Sequence, residues 1–163
     1  MKTDDNLKTA FAGESQAFMR YQAYARAAEK NGQHQVARLF RAIAEAEKVH
    51  ALNHFAVMAK PETTEKNLKA AIEGETYEFT EMYPGFVKQA QNDSNKRAQS
   101  SFKDASAVEK IHSVLYSEAL SDPDANKGEF YYVCPVCGNT VIGEAPDRCE
   151  ICGADGKKFM RVE

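Results

Sequence analysis

Two short stretches, Glu47-Lys48-Val49-His50 and Glu109-Lys110-Ile111-His112, decide how this chain is read. Each sets a Glu and a His three residues apart, neighbours on one face of a helix. The apolar residues around them say which face. Val36, Phe40, Ile43, Glu47 and His50 follow one helical stripe, and Phe102, Ala105, Glu109, His112 and Tyr116 follow another. The ionisable residues therefore interrupt stripes that should turn towards a core. Two further stripes are interrupted in the same way. Glu14 falls among Leu7, Phe11, Phe18 and Tyr21, and Glu75 falls among Leu68, Ile72, Phe79 and Met82, with Glu78 beside it.

Burying one unpaired carboxylate costs roughly several kcal/mol, so five facing one core need cations among them. A pair of divalent metal ions supplies the charge. A lone Glu-x-x-His usually marks a solvated helix face. Two of them in register with core stripes, with Glu on both remaining helices, are the inventory of ferritin-like di-iron and di-manganese four-helix bundles. His34 and His54 lack such partners and read as surface or supporting histidines.

The helices extend outward from these motifs. Asp4 or Asp5 is expected to cap the first, and Asn31-Gly32 to stop it. Pro61 should end the second. Thr63 or Thr64 should cap the third, and Pro84-Gly85 should kink or break it. The fourth carries Ala98, Phe102, Ala105, Tyr116 and Ala119 and stops in the turn-rich run after Ser121. The expected organisation is a mainly α chain: a four-helix bundle over 1–122, a linker over 123–129, and a small domain over 130–163. The last region holds short β-type runs, Phe130–Val133 and Lys158–Val162.

That small domain contains every cysteine of the 163-residue chain. Cys134-x-x-Cys137-Gly138 and Cys149-x-x-Cys152-Gly153, eleven residues apart, are matched knuckles that can enclose one tetrahedral iron or a structural zinc. Crowded thiols point to metal ligation in a reducing compartment rather than to a disulfide framework. The balance of 24 acidic and 21 basic residues lacks the basic excess of a nucleic-acid binder. No stretch has the ~20 apolar residues of a membrane helix, and residues 1–30 lack a signal-peptide core. A soluble, cytoplasmic protein is expected.

The order E, E-x-x-H, E-x-x-E, E-x-x-H and then paired Cys-x-x-Cys resembles the rubrerythrin family over essentially the whole chain. Phe11-Ala12-Gly13-Glu14-Ser15, Ile72-Glu73-Gly74-Glu75 and Glu81-Met82-Tyr83-Pro84 are similar to that family's first and third helices. The segment between His50 and Glu75 is shorter than in many members. The resemblance implies that Glu14, Glu47, His50, Glu75, Glu78, Glu109 and His112 hold two irons, with manganese or zinc as substitutes. It implies a rubredoxin-like iron, or zinc, at Cys134, Cys137, Cys149 and Cys152. It implies reduction of hydrogen peroxide to water, with electrons from an NAD(P)H-dependent donor such as a rubredoxin or its reductase, in defence against oxidative stress.

The residues agree with that scheme. Two adjacent ferrous ions supply the two electrons that peroxide reduction consumes, while a four-thiolate iron has one-electron chemistry and no open position, as a relay requires. A Glu carboxylic acid or Tyr21 would handle protons. Two ferrous ions against four carboxylates sum to zero charge, so a fifth carboxylate offsets part of the charge gained on oxidation. The resemblance suggests that one iron then exchanges His50 for Glu78. Two other readings compete: a ferroxidase or iron-handling bundle using O2, and a non-enzymatic helical module with structural zinc. The four-cysteine module speaks against the first, and the inward carboxylates against the second.

Chain length leads to a domain-swapped homodimer. In such a bundle the second and third helices run parallel, so their connection must travel its height. A second helix reaching Lys60 and a third starting at Thr64 would leave Pro61-Glu62-Thr63 to return roughly 30 Å, more than twice its reach. Exchange of the last two helices with a second copy removes the problem. The alternative is fraying, with the second helix unwinding from His54 and the third starting near Leu68.

Overall fold

The structure is a computed structural model that describes residues 2–58 and 61–163. The chain forms two compact units, one up to Glu62 and one from Thr63 onward.

The first unit is a helical hairpin. Helix α1 (Thr3–Lys30) does not use an Asp cap as the sequence suggested. It starts two residues earlier, and Asp5 instead accepts the Lys2 N–H at 3.2 Å, one of the donors that a helix start leaves unpaired. Gly32, at φ 73°, makes the stop, and α2 (His34–Met58) runs back antiparallel. Phe11 meets Phe55 with ring centroids 5.4 Å apart near one end, and Tyr24 meets Phe40 at 5.5 Å near the other. His34 joins Glu29 at the turn, together with Arg41, and so has a surface role.

The seam of this hairpin is not the stripe of large residues. Ala17, Ala25 and Ala28 of α1 and Ala37, Ala44 and Ala51 of α2 are the buried side chains. Alanine lets two backbones approach closely, which large side chains would prevent. Leu39, at 59% exposed, and Val36, Ile43 and Val57 lie outside the seam. A helix pair has one seam, and a second apolar stripe stays open within its own unit.

The second unit begins with α3 (Thr64–Tyr77), capped by Thr63, whose hydroxyl accepts from the Lys66 N–H at 3.4 Å. Helix α2 is helical through Met58 and α3 from Thr64, so neither end frays as the alternative required. Pro84 neither breaks nor ends the third helix. Lacking an N–H for the Thr80 carbonyl, it is preceded by a single π turn, Glu78–Met82, in which the Tyr83 N–H donates to the Glu78 carbonyl. Helix α4 (Tyr83–Asn92) continues the rod. Asn95 caps α5 (Lys96–Ser121), accepting from the Ala98 N–H at 3.1 Å, and α5 returns antiparallel. Thr76 bonds Ser113 at 3.1 Å and Phe86 stacks on Phe102 at 5.5 Å, which fixes the register of the pair.

After a turn, the tail forms a three-stranded antiparallel sheet in the order β2-β1-β3, from β1 (Tyr131–Val133), β2 (Thr140–Ile142) and β3 (Met160–Val162). Strands β1 and β3 fall within the runs expected from sequence; β2 was not foreseen. The tail belongs to the same compact unit as α3–α5. Val108 of α5 is 1% exposed, and a Cβ built on Gly138 would stand 3.8 Å from its Cγ1. Gly156 marks a close approach: a Cβ there would stand 1.6 Å from the Pro146 carbonyl oxygen. No helix among the described residues is long and apolar enough to cross a membrane.

Candidate metal centres

The helical hairpin of the first unit brings Glu14, Glu47 and His50 together, with one ligand atom of each within 4.8 Å of the others. The i, i+3 spacing on α2 sets His50 Nδ1 2.9 Å from Glu47 Oε2. Glu14 comes from α1, across the alanine seam. Glu47 is half-buried, while the His50 side chain is 55% exposed, more open than an inward stripe position implies. Tyr21 packs against Tyr24 and Phe40, with ring centroids 6.1 Å away, two helical turns along α1 from Glu14.

The second unit holds a matching triad of Glu75, Glu109 and His112, again within 4.8 Å. His112 Nδ1 lies 2.8 Å from Glu109 Oε2 and 3.8 Å from Glu75 Oε2. All three are half-buried. Burial, and then the hydrogen bond and charge of Glu109, push the Glu75 carboxyl above its usual range. Burial and the charge of Glu75 raise Glu78, the first residue of the π turn. A divalent cation would offset the mutual repulsion of these carboxylates, and a donor set of carboxylate oxygens and imidazole nitrogens suits iron, manganese or zinc.

Tyr83 was missed by the sequence reading as a functional residue. Burial raises its phenol, followed by the charges of Glu109, Glu78 and Glu75, so it faces this triad. The stripe Leu68, Ile72, Glu75, Phe79, Met82 assumed an unbroken α-helix. The π turn inserts one residue and turns Tyr83 inward one position after Met82. Pro84 was the available signal. The other edge of His112 is also occupied: Nε2 lies 3.1 Å from Thr140 Oγ1, on β2 of the tail. A cavity of about 400 Å3 opens beside this pair, lined also by Leu68, Tyr116 and Tyr131.

The tail brings its four cysteines into one cluster. Two equivalent turns do it. Gly138 N–H donates to the Cys134 carbonyl and Gly153 N–H to the Cys149 carbonyl, each at 2.9 Å, with both glycines at positive φ. Cys134 Sγ lies 3.6 Å from Cys152 Sγ, and Cys137 Sγ 3.5 Å from Cys149 Sγ. These are too long for disulfides and close to the ~3.8 Å edge of a tetrahedron with metal–sulfur bonds of about 2.3 Å. Burial pushes the Cys149 thiol up, but backbone N–H groups of Cys152 and Ile151 outweigh it and bring it down to about 7. The fully buried Asn139 donates from Nδ2 to the same sulfur at 3.7 Å. The cluster fits one thiophilic ion.

Comparison with known proteins finds matches over both the helical region and the tail. The family model described as Rubrerythrin matches residues 5–120, and that of the rubrerythrin rubredoxin-like domain matches residues 132–160. Nigerythrin of Nitratidesulfovibrio vulgaris is 37% identical over 164 residues, covering 92% of this chain and 81% of that protein. Rubrerythrin-2 of Clostridium acetobutylicum is 37% identical over 176 residues, covering 97% and 95%. Solved structures of nigerythrin in a mixed-valence state and in a fully reduced, all-ferrous state align with 99% of this chain and 87% of theirs. Both give a TM-score of 0.60, at 36% and 35% identity.

Proposed function

The chain belongs to the rubrerythrin family of oxidoreductases, with a ferritin-type di-iron site and a four-cysteine rubredoxin-like site, and from that premise we propose that it is a cytoplasmic peroxidase. Hydrogen peroxide takes two electrons and two protons and leaves as two waters. Electrons enter at the four-cysteine site from an NAD(P)H-dependent donor protein. The observation that carries this reading is the pairing, in one chain, of carboxylate–histidine triads with a four-thiolate cluster.

When bound, the iron pair supplies the electrons for O–O cleavage. The ligands we assign are Glu14, Glu47, His50, Glu75, Glu109 and His112, with Glu78 as the extra carboxylate that answers the charge gained on oxidation. Glu47 and Glu109 each lie within hydrogen-bond distance of the Nδ1 of their helix's His, which orients both groups before a metal arrives. Tyr83 keeps its proton at neutral pH because burial, and then the neighbouring carboxylates, oppose a phenolate, so its hydroxyl can donate to a departing oxygen. It replaces Tyr21 as the favoured proton donor. Cys134, Cys137, Cys149 and Cys152 hold the relay iron.

We also propose a homodimer in which each complete site takes one triad from each copy. Three ligands per unit make half of a di-iron site, and the short connector favours completion by a second chain. Anaerobic stopped-flow of the reduced protein tests the activity. Oxidation by peroxide much faster than by O2 is expected; the reverse order would establish the ferroxidase reading instead.

A further inference from the structure

His112 is held on both edges within the second unit. Nδ1 faces Glu109 at 2.8 Å and Glu75 at 3.8 Å. Nε2 faces the Thr140 hydroxyl at 3.1 Å, and that hydroxyl donates its own proton to the Gly138 carbonyl, also at 3.1 Å. A hydroxyl whose proton is committed in this way has only lone pairs left to offer. With that bond made, Nε2 carries an imidazole proton and donates it to the hydroxyl, so Nδ1 is the nitrogen a metal would take, in place of its hydrogen bond to Glu109. That is the tautomer a metal ligand needs.

The partner of this contact is not on a helix. Thr140 lies three residues after Cys137, and Gly138 directly follows it. Val108, one helical turn before His112, is buried beside the knuckle, close enough that a Cβ built on Gly138 would stand 3.8 Å from its Cγ1. The tail therefore reaches the triad through one hydroxyl, and this hydroxyl is bonded to the backbone of a four-cysteine knuckle.

We propose that Thr140 is a positioning residue: it sets the tautomer and orientation of His112 from the tail, and Cys137–Gly138–Thr140–His112 is the intrachain link between the two metal sites. The second half rests on the peroxidase reading above; the first does not. With iron bound at both sites, this link would carry one electron at a time from an ion held by Cys134, Cys137, Cys149 and Cys152 to an ion held by Glu109 and His112, the first oxidised by one unit as the second is reduced by one. Nε2 keeps its proton throughout, because the Thr140 hydroxyl accepts that N–H as a hydrogen bond and is too weak a base to remove it.

The test compares Thr140→Val, which keeps the shape and removes the hydroxyl, with Thr140→Ser, which restores it. The first readout is made on zinc-loaded protein, which is redox-silent. Imidazole 15N spectra should show a protected Nε2–H in the parent and in Thr140→Ser. In Thr140→Val that proton should exchange faster, and zinc affinity at the triad should fall roughly 10–100-fold. The second readout is made on iron-loaded protein by rapid mixing. Re-reduction of the oxidised triad iron by the tail should slow about tenfold or more in Thr140→Val, while the first oxidation by peroxide keeps its rate. Val108→Ala loosens the packing beside the knuckle but keeps the hydroxyl, and should leave Nε2–H protected and transfer near the parental rate. Equal behaviour of Thr140→Val and the parent in both readouts overturns the proposal. So does slowed transfer in Val108→Ala with Nε2–H still protected, since docking alone would then set the route. Failure of peroxide to oxidise the reduced protein defeats the peroxidase reading and leaves the zinc result standing.

Discussion

Lengthening the connector between α2 and α3 should convert an exchanged dimer into a chain that completes its own site. Helix α2 continues eight residues past His50 to Met58, and α3 needs eleven from Thr64 to reach Glu75. At about 1.5 Å per residue these are roughly 12 and 16 Å, so a bundle closed within one chain asks the connector to return roughly 28 Å. Residues 59–63 give six Cα steps of about 3.3–3.6 Å, or roughly 20–22 Å fully extended. Even with residues 59–63 all counted as connector the shortfall is about 6–8 Å; the expected end of α2 at Lys60 lies outside the described residues. Unwinding about two helical residues would cover it, at the expense of the Thr63 cap or the end of α2. Six Gly-Ser residues inserted at Pro61 add roughly 20 Å and remove the constraint. The assay mixes a Glu47→Ala chain with a Glu109→Ala chain by refolding. In an exchanged heterodimer both lesions fall in one site and the other is intact. Random mixing should then recover roughly a quarter of parental activity, since about half the dimers are heterodimers with one good site of two. The same mixture carrying the insertion should recover close to none and should sediment increasingly as monomer. Proven heterodimers of the native-length chain without recovered activity would refute the exchange, as would equal recovery with and without the insertion.

Other outcomes follow from the same geometry. In metal-free protein the Glu75 and Glu78 carboxyls lie above the ordinary 4.5, burial being the first cause for both. Their contribution to stability is therefore complete below about pH 4.5 and is lost as pH rises through the raised values. The melting temperature of the metal-free parent should fall relative to Glu75→Gln/Glu78→Gln over that window, and metal should reverse the order; parallel melting curves across pH would contradict the assignment. Cys149→Ser should lose the tail metal and keep the far-UV helical signal, consuming about one round of peroxide before stalling; unchanged steady-state turnover would remove the relay role. Gly156→Ala places a methyl 1.6 Å from the Pro146 oxygen and should destabilise the tail by on the order of 3 kcal/mol, read as early loss of tail metal on heating.

That Glu–His pairs and the four cysteines would cluster was legible because their spacing is local. Glu and His three apart meet on any α-helix, and Cys-x-x-Cys-Gly makes its own turn, so neither depends on what packs against it. The four helical segments were legible through period, caps and stops for the same reason. Legibility failed wherever one element had to choose a neighbour. The stripe of Val36, Phe40 and Ile43 was read as core-facing, yet Val36 and Ile43 are exposed within the hairpin and the buried side chains of α2 are Ala37, Ala44 and Ala51. One extra residue in the π turn shifted the register beyond Glu78 and turned Tyr83 towards the carboxylates. The approach of the tail to Val108, and with it the bond from Thr140 to His112, joins positions 28 residues apart. Sequence by itself thus determined the ligand types, their helical faces and the two kinds of metal chemistry, since these follow from backbone geometry over a few residues. Tertiary structure alone decided which ligands stand together, which tyrosine faces them and what holds the outer edge of His112. Those outcomes depend on shape complementarity between segments far apart in the chain, and no local period encodes it.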